Sequence, residues 1–290
     1  MNTTVTTRWS GLVTATSSIV HGGHAAGTTT LLRREQMITP DGELVEIPVI
    51  SGNALRGRLR RIGEELLRDT LGYEGTLPLA AAHALRGGGA LAKTSGEPLS
   101  GQRLRRVREL IPLIAAFGAA SSGRIIDGSL MVGRLIPHLA QTEHLTGRPG
   151  PDVFTATQLE TYTRLDEAQS AGFAAMTTPT TPGGQIDLTA LAALAEATGP
   201  AVFHVESFPA GTRFSTWVHL DRATPATTAF IQDVLDEFAT SGVLGGRRGI
   251  GHGHTHTTWE RTSPPVQVVD WRQDLLDRRD EVLAAIATLT

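Results

Sequence analysis

Cysteine is absent from the 290 residues, which excludes a disulfide framework and any thiolate metal site. Lysine occurs once, as Lys93, so the cationic chemistry of this chain is arginine chemistry. Long apolar runs are missing too. None approaches the length that spans a bilayer, and "MNTTVTTRWS" lacks the basic start and apolar core of a secretory signal. The expectation is a cytoplasmic protein that engages no membrane. There is no GxxxxGK[ST] loop, no GxSxG elbow and no HExxH helix, which leaves P-loop, α/β-hydrolase and zincin chemistry without support.

What is present is ordinary in amount and uneven in distribution. A chain that is 40% hydrophobic and 19% charged has the composition of a soluble globular protein, and its length allows one large core or two small domains. The net charge of −3 argues against a protein that coats nucleic acid indiscriminately. The arginines nevertheless cluster, at Arg56 to Arg61, at Arg103 to Arg108 and at Arg247 and Arg248.

The first cluster sits in "PVISGNALRGRLRR", Pro48 to Arg61. Ser51 or Asn53 is placed to cap a helix there, and Leu55, Leu59, Ile62 and Leu66 follow at helical spacing. Arg56, Arg58, Arg60 and Arg61 therefore crowd the end of a helix that already carries partial positive charge. An anion held beside that end offsets the repulsion. The plainer reading is that Arg58 and Arg61 solvate the outer face.

Elsewhere the pattern reads as a strand over 8–18, a loop at "HGGHAAGTTT", an extended "ELVEIPVI" and an irregular helical region over 74–115. "RGGGALAKTSGEPLSG" interrupts that region as a loop. "GRIIDGSLMVGRLI" reads as extended structure or a hairpin, and 145–185 as an excursion rich in Gly, Pro and Thr. "AVFHVES" and "TRFSTWVHL" read as strands joined by the turn "FPAG". A helix over 224–239 has Pro225 near its start, a glycine-rich loop runs into another strand, and a helix near 271–287 closes the chain. This order predicts an α+β sandwich of ferredoxin-like type with large insertions.

The loop "GGRRGIGHG", Gly245 to Gly253, holds Gly245, Gly246, Gly249, Gly251 and Gly253 around Arg247 and Arg248. Glycines let backbone N–H groups approach a phosphate, and arginine adds bidentate donors. His252, His254 and His256 alternate and would share one face of a strand, where they bind zinc, form a plain polar face, or hydrogen-bond to a phosphate. His21 and His24 of "HGGH" are acid–base candidates or surface residues. The adjacent carboxylates Asp166 and Glu167 read as solvated surface.

Taken together, four stretches resemble a known family. "EIPVISGNALRGRLRR" resembles the "P-x-IPGSSLRGALR" signature of the CRISPR RAMP superfamily. "LIAAFGAASSGRI" is similar to the family's "LFG" segment, and "GGRRGIGHG" to its C-terminal glycine-rich loop. "ETYTRLDEAQSAGFAAM" with "FHVESFPAGTRFSTWVHL" resembles its "IDRxTGxAxxGxLFxxExVPxGTxF" stretch. In order, these cover residues 46–253. The resemblance is greatest to the seventh-type backbone subunit of class 1 CRISPR effectors, with the general look of a type IV member.

The resemblance implies a single domain over 1–290. It consists of an RRM-like palm, a helical finger insertion at about 70–120 and a thumb hairpin inserted at about 145–182. It implies a guide RNA (crRNA) along Ser51, Gly52, Asn53, Arg56 and Arg60, and along Gly245, Gly246, Arg247, Arg248, Gly249, Gly251 and His252. Implied partners are further copies stacked head to tail in a helical array, other effector subunits and a complementary nucleic-acid target. No cofactor or metal is implied.

In RNA-cleaving members a loop after the first strand carries a catalytic aspartate. The matching segment here, Ile19 to Thr30, contains no acid, so a non-catalytic scaffold is expected. Scarce aromatics, 5% of residues, suit a protein that grips phosphate and leaves bases free to pair, unlike an ordinary RRM. Two alternatives stay open: a RAMP-family endoribonuclease that processes precursor RNA with a histidine general acid or base, and a metal-dependent enzyme built on His252, His254 and His256.

Overall fold

Strict alternation in "TRWSGLVTA" makes the first strand. In β1 (Val5–Ala15), Thr7, Trp9, Gly11, Val13 and Ala15 point inward and are buried, while Thr6, Arg8, Ser10 and Leu12 point outward. The strand begins and ends three residues earlier than its pattern suggests. The computed structural model describes residues 4–89, 100–121, 123–164, 201–264 and 269–289.

After β1 come two hairpins, β2 (Gly22–Ala26) with β3 (Thr29–Leu32), and β4 (Arg34–Ile38) with β5 (Leu44–Pro48). The helices α1 (Gly52–Leu71), α2 (Leu79–Gly87), α3 (Gly101–Leu110) and α4 (Pro112–Phe117) follow. Four short strands, β6 (Ala119–Ser121), β7 (Arg124–Ile126), β8 (Leu130–Val132) and β9 (Ile136–Pro137), precede a one-turn helix, α5 (Glu143–Thr146). Next are β10 (Gln158–Arg164), β11 (Ala201–Ser207), β12 (Arg213–Ala223) and α6 (Pro225–Ser241). The chain ends with β13 (Thr255–Arg261), α7 (Trp271–Asp277) and α8 (Arg279–Ala287).

The main sheet runs β13–β1–β12–β8, with β9 also on β12, and its pairs are antiparallel. Taken in chain order, β1, α1, β8, β12, α6 and β13 give the β-α-β-β-α-β succession of a ferredoxin-like α+β fold. A second sheet, β10–β11–β3–β2, stands beside it. Its antiparallel β10–β11 pair is the stem from which residues 165–200 leave. Residues 165–182 of the expected thumb, with Asp166 and Glu167, lie outside the described residues. So does most of the loop at 86–101. Among the described residues no helix is long and apolar enough to cross a membrane.

The core side of the main sheet meets α1 and α6. Leu55, Leu59, Ile62, Leu67 and Leu71 are buried along α1, with Leu66 at the margin. Gly63 lets α6 approach closely, since a Cβ there would lie 2.9 Å from the Phe230 ring. Ser51, not Asn53, is the cap, its Oγ accepting the Ala54 N–H at 3.3 Å. The outer face of the sheet carries Trp217, 43% exposed, whose ring lies against Gly133 and 4.5 Å from the His219 ring.

Two readings of the chain need correction and a third gains detail. "HGGHAAGTTT" is a hairpin rather than a loop. All five residues of β2 are exposed, so this edge strand carries no hydrophobic signal. "AVFHVES" and "TRFSTWVHL" are strands, but of different sheets: the chain crosses at Phe208, which bridges Ile19 and packs edge-to-face on Phe214 at 5.0 Å. The last helix breaks at Arg278, whose φ of −118° leaves the helical region.

Arg60 departs furthest from a surface arginine. It is 5% exposed, and its guanidinium donates to the carbonyls of Leu85 at 2.7 Å, Ala84 at 2.5 Å, Gly118 at 2.9 Å and Phe117 at 3.3 Å. Burial, and then the charge of Arg56, pull its pKa down to about 10, so it stays charged at neutral pH. It ties α1 to α2 and to the end of α4. Arg60→Ala should cost about 3–5 kcal/mol, the scale for stripping a buried charge from its acceptors, comparable to the roughly 2–5 kcal/mol of Leu59→Ala. Denaturant titration checks this; an unchanged midpoint for Arg60→Ala would mean that the carbonyls find water.

Candidate nucleic-acid interface

Helical geometry sorts the arginines of α1 into two pairs. Arg56 and Arg60, four apart, lie on the flank facing α4. Arg56 donates to the Phe117 carbonyl at 2.9 Å and sits 5.4 Å from the centre of that ring. With Asn53 and Gly57 they line an open cavity of about 440 Å³ against Gly87, Gly88 and Phe117. Asn53 is exposed at its mouth. Gly52 is held close to the sheet, where a Cβ would lie 2.6 Å from the Val132 carbonyl oxygen.

Arg58 and Arg61, three apart, belong to the other flank, within electrostatic range of Arg248 in the glycine-rich loop. Both Nε–H groups are buried and without a hydrogen-bond partner among the described residues. Burial first, and then the charge of Arg248 along with that of Arg86, hold both guanidiniums below the usual arginine range, against a partial counterweight from Glu65. Arg86 itself is engaged by Glu64 at 2.6 Å and Glu65 at 2.9 Å. Arg58, Arg61 and Arg248 thus form a cluster of like charges with unspent donors, an arrangement that an anion relieves.

The glycine-rich loop is built against its own chain. At Gly245, φ +77°, a Cβ would lie 2.2 Å from the Val20 carbonyl oxygen, and at Gly253, φ +89°, 2.1 Å from that of Leu244. These two glycines are required by packing. Gly246 donates to Val20 at 2.8 Å and is otherwise exposed, while Gly249 and Gly251 border open space. Arg247 adopts the left-handed conformation, φ +57°. It places its guanidinium 4.9 Å from the Tyr162 ring centre and 4.8 Å from that of Phe203, rings that stack at 5.5 Å across the β10–β11 stem. Arg248, next in sequence, is exposed.

His252 is also turned inward. It is 7% exposed, and its Nε2 lies 2.6 Å from Tyr162 Oη, which donates to Glu160 at 2.5 Å. Ser207 and Gln158 also donate to Glu160. His254 and His256 are exposed, so the three histidines are not brought together; the turn at Gly253 separates the first from the other two. His21 accepts the Ser51 N–H at its Nε2, 3.2 Å away, and burial with the Arg33 charge keeps its pKa low.

Of the residues singled out in the sequence, Asn53, Gly246, Arg248, Gly249 and Gly251 border open space, Arg56 lines the open cavity while bonded to Phe117, and Ser51, Gly52, Arg60, Gly245, Arg247 and His252 are engaged within the chain. Arg58 and Arg61 read in the sequence either as part of an anion site with Arg56 and Arg60 or as outer surface; the structure sets them on the flank away from Arg60. Tyr162 and Glu160, which hang the loop on the stem, carry no sequence signal for that role.

No family model matches the chain, and no curated protein sequence does. Among solved structures, a chain described as part of a type IV-B CRISPR complex superposes with a TM-score of 0.63 at 35% identity, over 92% of this chain and 98% of that one. A ferredoxin-like α+β core thus coincides with substantial identity along nearly the whole length. The chain belongs to the subunits of class 1, type IV CRISPR effector complexes.

The Glu160 knot gives the stem a pH dependence. Burial alone would raise this carboxyl, but the hydrogen bonds from Ser207, Tyr162 and Gln158 outweigh it and hold the pKa at about 2, against an ordinary 4.5. A depressed acid contributes stability that is complete above its ordinary value and lost as pH falls towards the folded value. Melting temperature should therefore drop more steeply below pH 4.5 in the wild-type chain than in Glu160→Gln. Glu206, depressed in the same direction despite its burial by Arg34 and the Leu32 N–H, is present in both chains and cancels. Parallel slopes would mean the knot does not bear on folding.

Proposed function

We propose that this chain is the guide-RNA-binding backbone subunit of its complex, without catalytic activity of its own. Copies stack head to tail along the RNA beside other effector subunits, and bases are left free to pair with a complementary target. The observation that carries this reading is the pair of buried, unpartnered Nε–H groups of Arg58 and Arg61 next to exposed Arg248. Gly246, Gly249 and Gly251 extend the same surface toward a phosphate backbone, which arginines and open glycine N–H groups recognise without reading sequence, and Asn53 and Arg56 add an open pocket on the other flank of α1. Arg60, Arg247 and His252 support that surface from within.

The absence of any carboxylate from Ile19 to Thr30 favours target binding without cutting. Labelled target RNA and DNA should stay intact with divalent metal present. Cleavage that disappears in His21→Ala or His24→Ala would instead establish the endoribonuclease alternative.

RNA affinity should fall by a similar factor for every sequence in Arg58→Ala, Arg61→Ala and Arg248→Ala. The salt slope of binding should decrease by roughly 0.7 for each single-strand phosphate that the variant no longer neutralises. Salt titrations with thermal melts as the folding control measure this. Unchanged affinity and slope in all three variants would remove the basis of the proposal.

A further inference from the structure

Two features of the surface remain unexplained by the RNA-facing flank. The first is the tip of the β4–β5 hairpin. Ile38 and Leu44 face each other across the strands and are 65% and 62% exposed, an apolar pair unusual on a surface knob. Asp41, Glu43 and Glu46 surround it, and none has an ion pair among the described residues. The opposite face of the hairpin, Met37, Val45 and Ile47, is anchored on Leu139, Val153 and Ala156.

The second is a cavity of about 610 Å³ at the end of β1 and β12. Its walls are apolar, with Leu12, Leu139 and Pro209 among them, and its charge comes from Arg148 and Arg213. Both guanidiniums are exposed and lack an ion pair among the described residues. His138, 8% exposed, sits between them with its Nε2 2.9 Å from Ser215 Oγ. Gly150 lies over it, with no room for a Cβ, which would come 1.9 Å from the His138 carbonyl oxygen.

We propose that the tip of this hairpin in one copy, Ile38 to Leu44, seats in the cavity beside Arg148 and Arg213 of the next. The chemistry matches on both counts, aliphatic pair to apolar wall and unpaired acids to unpaired arginines. The tip does not satisfy the cavity of its own chain, as the exposure of Ile38 and Leu44 shows. A knob and a socket made of different residues, here adjoining at Leu139 and Ala156, make a heterologous contact when they meet between copies, which propagates head to tail rather than closing as a two-fold dimer. This deepens the assembly part of the proposed function and takes from it only the order of stacking; the contact itself needs no RNA.

The test uses nuclease-treated, RNA-free protein in sedimentation across a concentration series. The wild-type chain should self-associate. Asp41→Arg with Glu43→Arg on the tip, or Arg148→Glu with Arg213→Glu in the cavity, should each weaken association by roughly tenfold or more. An equimolar mixture of the two variants should associate again into chains of alternating copies, because the intact tip of one meets the intact cavity of the other and the reversed tip meets the reversed cavity. Ile38→Ser, which alters no charge, should also weaken association. Binding to an RNA too short for two copies is the control and should match wild type in every variant, so loss of RNA binding would point to the other flank. A wild-type chain that stays monomeric throughout, variants that associate as it does, or a mixture that remains monomeric would overturn the proposal.

Discussion

The buried guanidinium of Arg60 is the tie on which the rest of the molecule depends. It converts a row of four carbonyl oxygens, left over where α2 ends and where α4 gives way to β6, into a junction with α1. A charged donor set in a dry place is costly unless every bond is made, and here four are. Once Arg60 points inward, the pitch of the helix leaves no choice about its neighbours. Arg56 must share that flank, and Arg58 and Arg61 must take the other. One side of α1 is thereby a structural joint and the other a surface of clustered positive charge, both drawn from the same short run of arginines.

A similar division governs the glycine-rich loop. Gly245 and Gly253 are glycines because the chain passes against carbonyl oxygens of Val20 and Leu244. Arg247 is held by two stacked rings, and of the two arginines it is Arg248 that reaches outward. Rigid support and open backbone thus occur together within nine residues. Tyr162 and Phe203 are thus spent on positioning an arginine rather than on stacking a base, in keeping with a chain poor in aromatics.

Much of this is legible in the sequence wherever period and chemistry agree. β1, α1, β12 and α6 follow from alternation and from the spacing of Leu55, Leu59 and Ile62, and the ferredoxin-like order follows from their succession. Ser51 and the glycine-rich loop stand out as well, since capping residues and clustered glycines have few other uses. What stays hidden depends on partners distant in the chain. Nothing local distinguishes Arg60 from Arg61; only the carbonyls of residues some 25 and 57 positions away do. Nor does β2, exposed at every position, show a periodicity, and nothing in "AVFHVES" and "TRFSTWVHL" reveals that they join separate sheets.

Trp217 gives the outer sheet face an optical property. Of the four tryptophans, Trp9 and Trp271 are buried with their indole N–H groups donated to Gln232 and Asp233, and Trp259 is half-covered near Phe238. Trp217 alone combines substantial exposure with a neighbouring imidazole, that of His219. Red-edge fluorescence and its quenching by small solutes therefore report selectively on whatever comes to lie over that face, with no label attached.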